Sequence, residues 1–310
     1  MPNDDEPELP RGIALAWGVA ANPQRGPKRE MSVERIVEAA VDLADAEGLG
    51  AASMAAVAAR LGYTTMSLYR YVTAKDDLIL LMQEEATGLP PEPTTEPGDW
   101  RGRLEELYAA QVQIYMRHPW ILDIPITGSP VTPNSAAWMD AGLAALADTA
   151  LSHDERLSVM LAVTGQSRWA GAVIAGYARA QRESGIDDAA ITRREDELYR
   201  ALITADAYPD LRAAIDAGVF TDDSDPFAFG FERFLDGVGA YLTTRADGAT
   251  ADARRPWAQV EEGELAGDKK HRDARKAVRA AEKALRDARR LERQAAREAA
   301  ERLARLRSET

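Results

Sequence analysis

The chain has 310 residues, no cysteine and a formal net charge of -13 at pH 7. Lack of cysteine rules out a disulfide framework or a thiolate metal site and makes a reducing cytoplasm the expected home. His118, His153 and His271 are too scattered for a histidine metal site, and no apolar run approaches the ~20 residues that cross a bilayer.

In chain order, the opening MPNDDEPELP is acidic and proline-rich, the opposite of a signal peptide's basic start. GIALAWGVA (12–20) is too short for a membrane span; it either packs Trp17 on the body of the protein or stays loose. The following RGPKRE supplies Arg25, Lys28 and Arg29 ahead of the first strong helix. Such an arm either follows a DNA minor groove or phosphates, or is a solvated charge cluster.

SVERIVEAAVDLADAEG predicts a helix with Ser32 as N-cap and Gly48 at its end. Val33, Ile36, Val37, Ala40, Val41 and Ala44 follow the i, i+3, i+4, i+7 spacing of a half-buried helix. A second helix, SMAAVAARLG, starts at Ser53 and closes near Gly62; a third starts at Thr64 or Thr65; a fourth runs from about Ala74 to Ala86 with Leu78, Leu81 and Met82 inward. In the third, Leu68 and Val72 sit four apart as a buried pair. Met66 and Arg70 then point away from the core, with Ser67, Tyr69 and Tyr71 on the flanks. A tight turn followed by such a helix is the helix-turn-helix pattern, in which arginine bonds a guanine edge and hydroxyls bond phosphates. Lys75 adds a cation at the next helix N-terminus, where free N–H groups already favour a phosphate. By itself the pattern also fits ordinary amphipathic packing.

MSVERIVEAAVDLADAEGLGAASMAAVAARLGYTTMSLYRYVTAKDDLILLM, residues 31–82, resembles the N-terminal domain of TetR-family transcriptional repressors over its whole length. The resemblance implies that Thr65, Met66, Ser67, Tyr69, Arg70, Tyr71 and Lys75 touch DNA, and that Leu68 and Val72 are buried. Ala55 stands where the founding tetracycline repressor has a base-reading arginine, so a different operator is expected.

GLPPEPTTEPGD (88–99), with four prolines and two glycines, is the clearest break in the chain. Longer helices are predicted near 99–117, 134–149, 152–184, 187–206, 209–217 and 225–245. Ser152 and Glu155 fit a capping box, and Pro226 fits the first helical position. This part resembles the C-terminal domain of the tetracycline-repressor branch, which implies an effector pocket and a homodimer held by a four-helix bundle. Phe227, Phe231, Phe234 and Val238, with Leu235 and Leu242, form an apolar stripe suited to a core or a dimer face, with the 152–184 helix as partner. Trp120, Trp138, Met139, Gln166, Trp169, Val173 and Tyr177 combine apolar surface with polar groups, as ligand sites do, though each also fits a core. The loop DIPITG lacks the histidine that tetracycline binding uses, so tetracycline is a poor guess. No Ser-His-Asp arrangement, phosphate loop or HExxH occurs, so no catalytic residue, metal or cofactor is expected.

Residues 268–310 carry fifteen Lys/Arg and eight Asp/Glu, while 76–267 carry fifteen and thirty-three. This tail is foreign to the family plan. Ala274, Ala277, Ala281, Ala284, Ala288, Leu291 and Ala295 follow heptad spacing, but alanine buries little area. A solvated helix ranks first, a coiled coil second and a DNA contact third.

The expectation is therefore an all-α chain with an N-terminal extension (1–24), a helix-turn-helix domain (25–87), a linker (88–98), an effector-binding and dimerisation domain (99–248), a second linker (249–267) and a charged helical tail (268–310). Its expected partners are double-stranded operator DNA, a small-molecule effector of unknown identity and a second copy, with no membrane. The alternatives are a helical small-molecule-binding protein or an enzyme, either without operator binding.

Overall fold

The computed structural model describes residues 9–19, 31–126, 128, 131–222, 224–246 and 268–308. Among these the secondary structure is helical, with no strand. The chain divides into two compact units, 1–250 and 251–310.

The first unit begins with α1 (Arg11–Ala16), which lies against α5 (Lys75–Thr87). Gly12 lets the two approach: a Cβ there would meet Asp77 Oδ1 at 2.7 Å. Trp17 follows, and its Nε1 donates to Val131 O at 2.9 Å, so this stretch is packed. Next come α2 (Val33–Glu47), α3 (Met54–Leu61) and α4 (Thr65–Leu68). Ser32 and Ser53 accept from the backbone N–H groups of Arg35 and Ala56, as N-caps worth about 1 kcal/mol each. Helix α3 stops at Gly62, whose φ of 76° is the left-handed conformation that glycine adopts at least cost. Ile36, Ala40, Val57, Leu68, Val72, Leu78 and Met82 are fully buried together. Each large member contributes roughly 1.5–3 kcal/mol, which sets the orientation of the short α4.

The body comprises α6 (Trp100–Arg117), α7 (Pro133–Ala145), α8 (His153–Ser184), α9 (Asp188–Leu202), α10 (Pro209–Asp216) and α11 (Pro226–Ala246), with a 3-10 turn at Pro119–Asp123. Helices α6 and α8 pack closely where Gly171 faces Tyr115; a Cβ on Gly171 would meet Tyr115 Cβ at 2.7 Å. The capping box is present: Ser152 Oγ accepts from Glu155 N, and Glu155 Oε2 accepts from Ser152 N. The Glu155 carboxylate also accepts from the Tyr241 hydroxyl, tying α11 to the start of α8. Arg200 and Arg212 clamp α9 to α10 through Asp196, Asp216 and backbone carbonyls.

Residues 88–98 form no helix but are held down. Trp138 Nε1 donates to Gly88 O, Arg103 to Pro91 O, and Thr94 to Glu106. The head core also continues into the body, taking in Tyr115, Trp120 and Ile121.

The aromatic stripe of α11 faces the protomer's own core at two of its four positions. Phe231 and Val238 are buried in the protomer's own second core, and Phe231 stacks on Tyr108 at 4.1 Å. Phe234 packs against the same cluster, while Phe227 is half-buried. With only one broad apolar face, α11 uses it to close its own protomer.

The second unit contains α12 (Lys269–Ser308), a single helix of 40 residues whose described side chains are almost all exposed.

Candidate nucleic-acid interface and effector site

Helix α4 presents its outer side chains because its inner ones are fully used. Leu68 and Val72 are at 0 % exposure, while Met66 is 75 % exposed and Tyr69 and Arg70 are also exposed. Thr65 and Ser67 are half-buried at the rim, and Ser67 Oγ shares a 2.9 Å hydrogen bond with Thr64 Oγ1 across the first turn. Lys75 is exposed on the first turn of α5. Thr65, Met66, Ser67, Tyr69, Arg70 and Lys75 are therefore all at least partly accessible within one short stretch of the head.

Tyr71 does not join them. It is buried in the head core, and the backbone explains why. After Leu68 the helix gives way to a turn in which Leu68 O accepts from both Tyr71 N at 2.8 Å and Val72 N at 3.0 Å. This shared, partly 3-10 bonding departs from a regular 100° per residue and draws Tyr71 inward beside Leu68 and Val72. Arg25, Lys28 and Arg29 lie outside the described residues. Ala55 is exposed on α3 and offers a methyl group where an arginine would reach out.

The expected effector residues separate into two groups. Gln166, Trp169, Val173 and Tyr177 recur at three- and four-residue steps along one side of α8. Trp169 is 65 % exposed, and the Tyr177 hydroxyl donates to Glu195 on α9 at 2.7 Å. That carboxylate pushes the phenol up to about 12, so Tyr177 stays a neutral donor. Met139 on α7 is half-buried.

Trp120 and Trp138 are placed differently. Both are buried, in different cores, and each indole N–H is already bonded: Trp138 to Gly88 O at 3.0 Å, Trp120 to Asp45 Oδ1 at 2.7 Å. Buried indoles need such a partner, and here the protein supplies it.

Three groups carry no mark in the sequence. Asp45, near the end of α2, accepts on one oxygen from both Trp120 Nε1 and His118 Nδ1, the latter at 2.8 Å. Arg168 on α8 donates to the carbonyls of Leu122 and Ile124, both at 3.0 Å, holding the far side of the same 3-10 turn. Glu84 on α5 accepts from the N–H of Asn134 in the first turn of α7, a carboxylate on a helix N-terminus. Charged residues on helices usually read as solvated, so nothing in their spacing distinguishes these three. Deep in the body, Ser167 donates to Gln111 at 2.5 Å, satisfying two buried polar groups between α6 and α8.

The described residues contain no group of His, Asp and Glu suited to a metal ion, and no described helix is long and apolar enough to cross a membrane.

Comparison with known proteins bears on both halves. The family model described as bacterial regulatory proteins, tetR family, matches residues 36–82, and that of the tetracyclin repressor-like C-terminal domain matches 92–242. The HTH-type transcriptional repressor DrrR1 of Streptomyces coeruleorubidus is 34% identical over 240 residues, covering 77% of this chain and 88% of its own. The HTH-type transcriptional repressor Rv1353c of Mycobacterium tuberculosis is 26% identical over 255 residues, covering 76% and 95%. Among solved structures, the TetR family protein ActR of Streptomyces coelicolor in complex with actinorhodin aligns with a TM-score of 0.58 at 22% identity, over 71% of this chain and 99% of that one. At that identity the structural likeness shows the fold.

Proposed function

The chain belongs to the tetR family of bacterial regulatory proteins and is a DNA-binding transcriptional regulator, and from this premise we propose that it is a homodimeric repressor released from its operator by a small molecule. The observation that carries this reading is the exposed edge of α4 over a fully buried Leu68–Val72 pair. Arg70 reads a base edge in the major groove; Thr65, Met66, Ser67 and Tyr69 contact neighbouring phosphates or bases; Lys75 grips a phosphate. Arg25, Lys28 and Arg29 belong to the same interface as an arm. The protein acts in the cytoplasm, where its operator is. Its relatives are regulators, and no catalytic role is assigned.

The effector lies against Met139, Gln166, Trp169, Val173 and Tyr177. Actinorhodin, held by the structural neighbour ActR, is a precedent for a small-molecule ligand on this fold. Arg168 is next to Trp169 and holds the turn that Trp120 and His118 tie to Asp45 in the head. A ligand that displaces this side of α8 thus has a hydrogen-bonded route to α2, which shares the head core with Leu68 and Val72. It shifts the equilibrium only as far as it binds one arrangement better than the other.

The twofold contact is formed by the outward sides of α8 and α11. Leu161 and Gly165 on α8, and Phe229, Gly230 and Gly237 on α11, are exposed in the single chain. The glycines allow close approach of a partner helix. The division into a DNA-binding head (25–87), linker (88–98), body (99–248), second linker (249–267) and tail (268–310) accords with this scheme.

The test is selection of duplex fragments by the purified protein, followed by binding of the enriched sequence and of a scrambled one. Enrichment of a pseudo-palindrome whose half-sites lie about one helical turn apart, or a multiple of that, is the expected outcome. Recovery of unrelated sequences only would sink the operator reading.

A further inference from the structure

Helix α12 is uninterrupted from Lys269 to Ser308, so helical phase is maintained along it. At about 100° per residue, Arg272, Arg275, Lys276, Arg279, Lys283, Arg286 and Arg290 fall within an arc of about 100° and span about 27 Å. Asp273 and Glu292 lie well outside that arc, and Glu282 and Asp287 border it about 20° beyond its two edges. All seven cationic side chains are exposed, and the Arg290–Asp287 pair is long at 3.7 Å. The opposite side carries Ala281, Leu285 and Ala288 in an apolar strip made mostly of alanine. Net charge alone does not reveal this segregation.

Which surface matches a row of cations backed by alanine? A lipid surface calls for large apolar side chains opposite the charge, and the strip has few. A protein partner is held mainly by a few large packed anchors, which alanine does not supply. A duplex needs no packing, only regularly spaced phosphates, and these occur at one charge per about 1.7 Å of its axis. The head is in need of such help: residues 25–75 carry seven basic and six acidic side chains, so it contributes little net attraction. We propose that the basic face of α12 is a second, sequence-independent contact to the phosphates of double-stranded DNA. The proposal rests on the operator-binding reading only in that DNA is the shared partner.

The test uses the full chain with Arg275, Lys276, Arg279, Lys283 and Arg286 all changed to Gln, which keeps helix propensity and leaves the apolar strip intact. Circular dichroism and sedimentation verify helix content and oligomeric state. Anisotropy then measures affinity for the selected duplex and for an unrelated one across a potassium chloride series. Expected are a fall of about tenfold or more on both duplexes at low salt, and a log–log salt slope shallower by about 0.9 for each phosphate no longer neutralised. Unchanged affinity and slope overturn the proposal. So does a loss confined to the selected duplex, a variant that falls to monomer, or unaltered DNA binding with abolished attachment to phosphatidylglycerol vesicles. A wild-type chain that binds every duplex equally, with that binding abolished in the variant, upholds the tail's role while sinking the operator reading. The reverse result, selective binding unaffected by the five changes, does the opposite.

Discussion

Arg70 and Lys75 are both exposed cations of the head, yet they should fail differently when removed. A side chain that bonds a guanine edge with two N–H groups discriminates between bases, and its loss costs about 1–3 kcal/mol on the correct sequence. Arg70→Ala should therefore weaken operator binding by that amount and relax the preference at one position. Lys75→Ala should weaken all duplexes alike and flatten the salt dependence. Competition assays with single-base operator variants separate the two; equal behaviour of both mutants would refute the division of labour. Tyr71 calls for a third pattern. Its ring is part of the head core, so Tyr71→Phe should leave operator affinity unchanged, whereas Tyr71→Ala should cost about 3–5 kcal/mol of stability, the range for deleting a buried ring. If Tyr71→Phe loses operator binding without a drop in melting temperature, the hydroxyl touches DNA after all.

Between elements, the turn at Pro119–Asp123 is gripped from two sides, by Asp45 of α2 and by Arg168 of α8. Asp45→Ala leaves the buried Trp120 N–H without its acceptor, a penalty of about 1–3 kcal/mol. Arg168→Gln instead frees the carbonyls of Leu122 and Ile124 from the body side. Hydrogen exchange should rise across 118–124 in both variants, and also at the end of α2 in the first. Exchange unaltered at α2 in Asp45→Ala would mean that the turn does not couple the two halves. These bonds also mark what is hidden from the sequence. The helices are legible because Ser32, Ser53, Ser152 and Gly62 are local signals acting within a few residues, and the apolar spacing of α2 and α5 states which side is inward. The two grips join residues 75 and 46 positions apart, and nothing local specifies such pairs. Tyr71 escapes for a related reason: its side depends on the mixed three- and four-residue bonds at Leu68 O, which no single residue type announces. That the indole N–H groups of Trp120 and Trp138 are bonded within the protein is likewise invisible to composition, since their acceptors lie 75 and 50 positions away.

At the scale of the whole molecule, two recognition helices reach successive major grooves only if the bodies are joined along a twofold axis. In the proposed dimer, with Phe231 and Val238 buried in the protomer, that join lies on the opposite side of α11 and on the side of α8 that carries Leu161. Leu161→Glu places a carboxylate there, and twofold symmetry brings in a second copy of it, so desolvation and like-charge repulsion both oppose association. Each protomer loses little from its own core, since Leu161 is 50 % exposed in the single chain and stands outside both core clusters. The expected product is a folded monomer with near-normal melting and little operator binding. Phe231→Ala should show the converse: a buried ring removed from beside Tyr108, stability lower by about 3–5 kcal/mol, and dimerisation retained below the new melting temperature. Sedimentation velocity and thermal melts on the two variants separate association from folding. If Phe231→Ala gives a stable monomer while Leu161→Glu remains a dimer, the partner sits on the aromatic side of α11, and the protomer's own core must open to admit it.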